Sequence, residues 1–274
     1  FDAPPVVDDA ARPPAHVDLR AVTSTGIELA VQQAEPGLFR LNQFYYPGWQ
    51  ATMDDQPVAV YPSTQQGLVT VDLPAGDHTL RLTWAESSQQ TWSEWLSLAA
   101  ALSLAGVLAL RRRWRWAAAA LAGALLLGLF LRAPLRAQDE PVTLTNQAAL
   151  PGLHLLGYQT AVADNGRSLL IEPIWYSTRQ YEDLDLTWRL VDGTGSVIAQ
   201  VGTEPYYGSQ PGTRWPRGVV VRDGYRLPLP AGAETGAYAL QFKVDAQTEK
   251  TDFVDVGLVA TPPLAAPRPL DVTL

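Results

Sequence analysis

The sequence predicts a mainly β protein with a transmembrane α-helical hairpin at its centre. Two antiparallel β-sandwich domains, Ig-like or jelly-roll-like, flank two membrane helices. Three observations predict this. Two uncharged runs, "WLSLAAALSLAGVLAL" (95–110) and "WAAAALAGALLLGLFL" (116–131), lie in the middle of the 274 residues. Between them, "RRRWRW" (111–116) gathers four arginines and two tryptophans. On either side of this centre, short segments alternate apolar and polar residues with period two, the signature of half-buried strands.

Composition sets the bounds. The length suits about two domains. The formal net charge is -8, so a general nucleic-acid partner is not expected. There is no cysteine, which excludes disulfides, thiolate zinc sites and cysteine nucleophiles. Lysine occurs only at Lys243 and Lys250, and arginine carries the rest of the positive charge. The chain begins at Phe1 without an initiator methionine or signal peptide, so it reads as a piece of a longer protein with further sequence before Phe1.

Taken in order, "FDAPPVVDDAARPPAH" (1–16) reads as a linker. Residues 17–90 read as the first sandwich. In "GIELAVQQ", Ile27, Leu29 and Val31 share a face. In "HTLRLTW", Leu80, Leu82 and Trp84 point one way and Thr79, Arg81 and Thr83 the other. "LFRLNQFYY", "PVAVYP" and "LVTVDL" also have strand character, and "PGW", "DDQP" and "LPAG" punctuate them. Asp54-Asp55 supplies a turn, because aspartate tolerates left-handed backbone.

Residues 92–132 read as the hairpin, with helices at about 92–110 and 116–132 and a cytoplasmic turn at 111–115. Neither apolar run shows the polar stripe of a surface helix. Each would be roughly 24 Å long as helix, a little short of the bilayer core of about 30 Å. Trp92, Trp95, Trp114 and Trp116 suit the membrane interface. Placing Arg111, Arg112, Arg113 and Arg115 mid-membrane would cost about 2.5–3.5 kcal/mol each, so one continuous span is excluded. The positive-inside rule then puts the turn in the cytoplasm and both flanks outside, although Arg132 and Arg136 lie on the other side, four against two. The alternative is a helical hairpin buried in a water-soluble domain.

Residues 140–260 read as the second sandwich. In "LTWRLVDGTGSVIAQV", Leu184, Leu186, Trp188 and Leu190 alternate with polar residues, and "DGTG" makes a hairpin turn. "YRLPLPAGAETGAYALQFKV" reads as another hairpin, with Tyr238, Leu240, Phe242 and Val244 on one face, and "TDFVDVGLV" closes the series. "LPAG" recurs at 73–76 and 229–232, as though one hairpin device served both flanks. Residues 261–274 read as an extended tail.

Two stretches resemble known families. "FYYPGWQATMDDQPVAVYP", followed by "GLVTVDLPAGDHTLRL" and then an apolar run, resembles the last extracytoplasmic domain of YfhO-type bacterial membrane proteins. It is similar also to the polytopic proteins described as 6-pyruvoyl-tetrahydropterin synthase related. Asp54-Asp55 stands where that family usually has Asp-Gly. "TRWPRGVVVRDGYRLPLPAGAETGAYAL", with "LLGYQ" upstream, resembles a C-terminal β-sandwich of bacterial membrane glycosyltransferase-like proteins. Trp215, Gly218, Val220, Asp223, Tyr225, Leu229, Pro230, Gly236, Tyr238 and Leu240 meet its pattern in what reads as an architectural role. The resemblance implies the cytoplasmic membrane of a bacterium and a parent protein similar to GT-C glycosyltransferases that use lipid-linked sugars. No residue here matches their catalytic acids.

Candidate chemistry is sparse. Asp183-Leu184-Asp185 could be an acid-x-acid metal site, but the strand pattern already accounts for it. "DGTGS" lacks the further ligands of a calcium loop. His16, His78 and His154 match no metal-ligand spacing. No catalytic residue, metal site or cofactor is expected. Two aromatic clusters remain, Tyr45, Tyr46 and Trp49, and Tyr206, Tyr207 and Trp215. Exposed aromatic faces stack on sugar rings, and Gly- and Pro-rich loops carry function. Tyr206, Tyr207 and Trp215 are therefore the candidate glycan-binding residues, with core packing as the alternative. The expected partners are the lipid bilayer, a glycan or lipid-linked sugar, and the membrane region before Phe1. The expected role is to support the outer face of a polytopic membrane protein or to hold glycan there. The alternatives are a membrane-anchored recognition module and a structural membrane subunit.

Overall fold

The computed structural model describes residues 14–85 except 24 and 65, and residues 141–261 except 210, 231–235 and 248. Between these segments it describes Leu96, Ser97, Ala99, Ala100, Ser103, Val107 and Gly123. The described strands form three sheets. An outer sheet of five strands has the order β1 (His16–Thr23), β2 (Gly26–Gln33), β8 (Gly76–Trp84), β4 (Trp49–Met53), β5 (Gln56–Val58). The central sheet runs β6 (Tyr61–Pro62), β7 (Leu68–Leu73), β3 (Gly37–Phe44), β14 (Val219–Arg222), β11 (Ser168–Ser177), β10 (Leu153–Ala163), β9 (Thr143–Leu150). Strand β15 (Tyr225–Pro228) follows β14 along β11. A second outer sheet has the order β13 (Val197–Thr203), β12 (Asp185–Val191), β16 (Gly236–Asp245), β17 (Val254–Thr261).

Both flanks of the chain contribute to the central sheet. Strand β3 of the first flank pairs in parallel with β14 of the second, Val219 opposite Arg40 and Val220 opposite Leu41. Each face of this sheet then carries a core. Leu155, Trp175, Val219 and Val221 pack against Leu186, Trp188, Leu240 and Phe242 of the second outer sheet. Leu156, Ile174, Tyr176 and Val220 pack with Phe39 and Val71 against Leu29, Leu80 and Leu82 of the first. The fold is two β-sandwiches sharing their middle layer, so the sandwiches expected at 17–90 and 140–260 meet through a common central sheet. Two-sided burial explains "VVV" at 219–221. A strand covered on both faces needs apolar residues at every position rather than every second one.

The alternating segments fold as their periodicity requires. Ile27, Leu29, Val31, Leu80 and Leu82 are buried, as are Leu184, Leu186, Trp188 and Leu190, and Tyr238, Leu240, Phe242 and Val244. The hairpin at 192–196 is present. Asp192 Oδ1 accepts from the Thr194 and Ser196 amides at 2.8 and 2.9 Å, which closes the turn. Neither "LPAG" stretch joins two strands that pair with each other. Each follows a strand of the central sheet (β7, β15) and precedes a strand of an outer sheet (β8, β16). Proline lacks the N–H that would continue the ladder, so the chain leaves the sheet there. At the first corner, Gln33 Nε2 donates to the Leu73 and Pro74 carbonyls at 2.7 and 2.8 Å.

Glycine at 157 lets the first outer sheet sit down on the central one. A Cβ there would lie 2.8 Å from the Thr143 carbonyl oxygen, 3.0 Å from Leu19 Cδ2 and 3.3 Å from Val142 Cγ1. Gly48 in "PGW" permits a close approach within the first outer sheet. Its φ is +133°, and a Cβ would lie 2.6 Å from the Ala85 carbonyl oxygen, where the chain leaves β8.

The strand register fixes where the central segment of the chain departs and returns. Leu144 pairs with Gly157, Gly157 with Ile174, and Ile174 with Arg222. Arg222 lines one cavity with Thr25, Gly26, Trp49 and Trp84. Strand β8 runs toward this end of the body and β9 runs away from it. Ala85 and Pro141, the described residues that bound this segment, therefore lie at the same end of the body.

The expected hairpin lies almost wholly outside the described residues, with Trp92, Trp95, Arg111, Arg112, Arg113, Trp114, Arg115 and Trp116 among those not described. Among the described residues no helix is long and apolar enough to cross a membrane. The seven described positions of this segment are helical. Residues 1–13 and 262–274 also lie outside the description. Pro14 does not, and its carbonyl accepts from the Tyr176 hydroxyl.

Asp54 and Asp55 both adopt left-handed backbone, φ 50° and 62°, the requirement of a type I′ hairpin turn between β4 and β5. Asp54 is also held from β8. Its Oδ2 lies 2.7 Å from His78 Nδ1, and its Oδ1 accepts from the Thr79 amide at 2.8 Å. The Asp54 carboxylate holds the His78 pKa above its ordinary value, and His78 and Thr79 hold that of Asp54 below its own. The pair contributes most between the two pKa values. Stability therefore falls as pH rises through the raised histidine value, and also as pH falls through the depressed aspartate value. Chemical denaturation between about pH 5 and about pH 9 will show the alkaline decline, and His78→Gln will flatten it. Asp55→Gly will raise stability by about 1 kcal/mol, the cost of left-handed backbone at a residue with a Cβ. Gly157→Ala will lower it by about 1–3 kcal/mol through overpacking.

Candidate functional site

The three aromatic residues expected to bind glycan separate in the structure. Trp215 is 1% exposed and belongs to the core with Leu68, Leu184 and Val219. Its segment lies across the central sheet beyond the second outer sheet. There the Arg214 carbonyl accepts from Gln66 Nε2 at 3.1 Å and the Arg217 carbonyl from Arg40 Nη1 at 3.2 Å. Trp215 seals the sheet and offers no face to a sugar, so its place in the expected site is corrected. Tyr206 is half-buried and its hydroxyl donates to the Arg222 carbonyl. Burial and the nearby Asp223 push its phenol up to about 12. Tyr207 is 56% exposed, and its hydroxyl accepts from the Arg226 amide at 2.7 Å.

Asp223 holds this loop in place. Its side chain is buried, and Oδ1 accepts from the Tyr206 and Gly224 amides at 3.0 and 2.7 Å. Oδ2 accepts from the Tyr225 hydroxyl. Burial pushes the Asp223 carboxyl above its usual range, and these donors partly offset the shift. The anchor holds Tyr206 and Tyr207 in left-handed backbone, φ 52° and 53°, a conformation a non-glycine residue adopts only where its surroundings impose it.

The first outer sheet stops short of the far end of the central sheet. Past Gly26, Trp49 and Trp84, no strand among the described residues covers the face of β10 and β11 that it covers lower down. Leu169 and Ile171 point into the other core, so by alternation Leu170 and Glu172 stand on the open face. Arg222 lies in the middle of this face. Its Nη2 donates to Glu172 Oε2 at 3.2 Å and to Gln159 Oε1 at 3.3 Å. On one side of this pair is a cavity of about 180 Å³ whose walls include Gln43, Trp49, Trp84 and Arg222. On the other is one of about 390 Å³ whose walls include Leu170, Glu172, Tyr207, Gly224 and Arg226.

Of the sequence candidates, Trp49 and Tyr207 reach this face. Gln159, Glu172 and Arg222 carried no signal, because each reads as an ordinary polar position on a strand. Asp183 and Asp185 are exposed on either side of buried Leu184; Asp183 lies in a bend with left-handed backbone, φ 51°, and β12 begins only at Asp185. Among the described residues no group of three or more histidine, aspartate or glutamate side chains could hold a metal ion.

No protein-family model matches the chain, and no curated protein matches it. Solved structures give distant likenesses. The C-terminal domain of Wzt is 14% identical over 48% of this chain and 81% of that domain, with a TM-score of 0.29. A β-glucuronidase of glycoside hydrolase family 2 is 8% identical over 87% of this chain and 24% of its own, TM-score 0.30. The β-D-mannosidase of Dictyoglomus thermophilum is 10% identical over 86% of this chain and 29% of its own, TM-score 0.28. The chain thus spans 24% and 29% of the length of these two glycosidases. Likenesses of this size carry no argument about activity.

Asp223→Ala removes the acceptor for two amides and a hydroxyl. It will lower stability by about 1–3 kcal/mol and release the Tyr206–Tyr207 loop, seen as faster amide hydrogen exchange at 206–209.

Proposed function

We propose that this chain is the non-catalytic, extracytoplasmic end of a bacterial membrane protein of the YfhO and GT-C kind, anchored by a helical hairpin at 92–132 and supporting that protein's outer face. The observation that carries this reading is the pairing of β3 with β14. Residues on both sides of the apolar centre belong to one sheet, so both lie on one side of any membrane. A segment that leaves such a body and returns to it must cross an even number of times, and two apolar runs separated by four arginines supply two crossings. The common departure and return point agrees with this. So do the described helical positions, where Leu96 and Val107 are 69% and 49% exposed. The Ser103 hydroxyl there donates to the Ala99 carbonyl at 2.8 Å, which satisfies a polar group without water.

The absence of native cysteine makes the test direct. Arg113→Cys and Leu258→Cys each introduce a single thiol, in the arginine turn and on exposed β17. With a membrane-impermeant maleimide, Leu258→Cys will label in spheroplasts and Arg113→Cys only in inverted vesicles. Labelling of both from the same side, or recovery of the chain in the soluble fraction after alkaline extraction, will overturn the assignment.

A further inference from the structure

We propose that the open face of the central sheet, from Trp49 and Trp84 past Arg222 to Tyr207, binds a neutral oligosaccharide laid across strands β14, β11 and β15. Arg222 stands in the wall of one cavity and Glu172 in the wall of the other, so their ion pair links the two. An indole or phenol borders each: Trp49 and Trp84 at one end, Tyr207 at the other. Aromatic faces pack on the C–H faces of pyranose rings and shed water at little entropic cost. Between them stands a polar centre that matches sugar hydroxyls, with a guanidinium as donor and a carboxylate as acceptor.

This centre is built in advance. Gln159 is 9% exposed and fixes Arg222 from below, so the guanidinium loses little freedom when a ligand arrives. Tyr207 is fixed too, through its hydroxyl to β15 and through Asp223 beneath its loop. The combined size falls in the range of small-ligand sites.

Charge selects the class of ligand. Arg222 faces Glu172, and Arg226 Nη1 lies 3.1 Å from Asp164 Oδ2. Each cation on the strip has its own carboxylate, so no surplus positive charge is offered to a phosphate or uronic acid. A hydroxyl-rich, uncharged ligand fits better. The proposal rests on the envelope reading only for the source of the sugar.

Gly224 supplies the decisive test. A Cβ built there meets nothing within 4 Å, so Gly224→Phe fills the larger cavity without disturbing the body. The full chain in detergent is titrated calorimetrically with maltopentaose, mannopentaose and chitotetraose, and with trigalacturonate as the anionic control. At least one neutral oligomer will bind. Gly224→Phe will abolish that binding with an unchanged melting temperature. Trp84→Ala and Tyr207→Ala will each weaken it about tenfold, the scale of one lost stacking contact, and Leu258→Ala, remote on β17, will leave it intact. The inference is overturned if no neutral oligomer binds at millimolar concentration, if Gly224→Phe binds as tightly as the parent chain, or if trigalacturonate is preferred. The thiol-labelling pattern does not depend on any of these outcomes, so failure of the saccharide site and failure of the membrane assignment are separable.

Discussion

Burial of the central sheet on both faces is the constraint on which the rest of this structure depends. Val219, Val220 and Val221 have no exposed surface, and successive side chains enter opposite cores. Once a strand is covered on both sides, every neighbour must accommodate a second layer. Gly157 gives up its side chain so that β1 can lie over β10. Arg40, on the face of β3 turned from the first outer sheet, is 2% exposed and reaches a backbone carbonyl of the Trp215 segment. Trp215 closes the part of that face which the second outer sheet does not reach. The Trp215 end of this Gly- and Pro-rich segment is thereby a structural cover, while its Tyr207 end stays exposed.

Much of this was legible in the residues, and the limits have physical causes. Period-two segments identified the strands of the outer sheets and the face each buries, since one side of those sheets meets water. Asp54-Asp55 was legible as left-handed backbone, because its side chains are short and polar. The pairing of β3 with β14 was not. Its short ladder joins residues nearly 180 positions apart, and no local pattern encodes so remote a partner. "LPAG" was legible as a break in the chain but not as a passage between layers, because a proline that ends a ladder does not say where the next strand lies. In the candidate site, Tyr207 and Trp49 could be singled out as aromatics in turns. Arg222, Glu172 and Gln159 could not, because their meeting depends on register across three strands.

The two halves of the structure divide the work. Cores on both faces provide rigidity, with Trp175, Trp188 and Phe242 rings interlocked at centroid distances of 5.5–6.4 Å on one side. The end of the molecule where the layers are unequal in length provides access. The same inequality positions the aromatic rim, the Arg222–Glu172 pair and the departure point of residues 86–140 near one another.

The remote pairing of β3 has a consequence for biogenesis. Its free edge and the half-covered apolar face behind it stay without their partner until residues 219–222 have been made. At roughly 5–20 residues per second, that interval is on the order of ten seconds or more, and "WLSLAAALSLAGVLAL" and its companion run emerge within it. The first flank therefore waits as an incomplete half-sandwich while the apolar centre finds its own environment. Such an edge is a template for pairing with other chains, so the arrival of β14 both completes the central sheet and removes that liability.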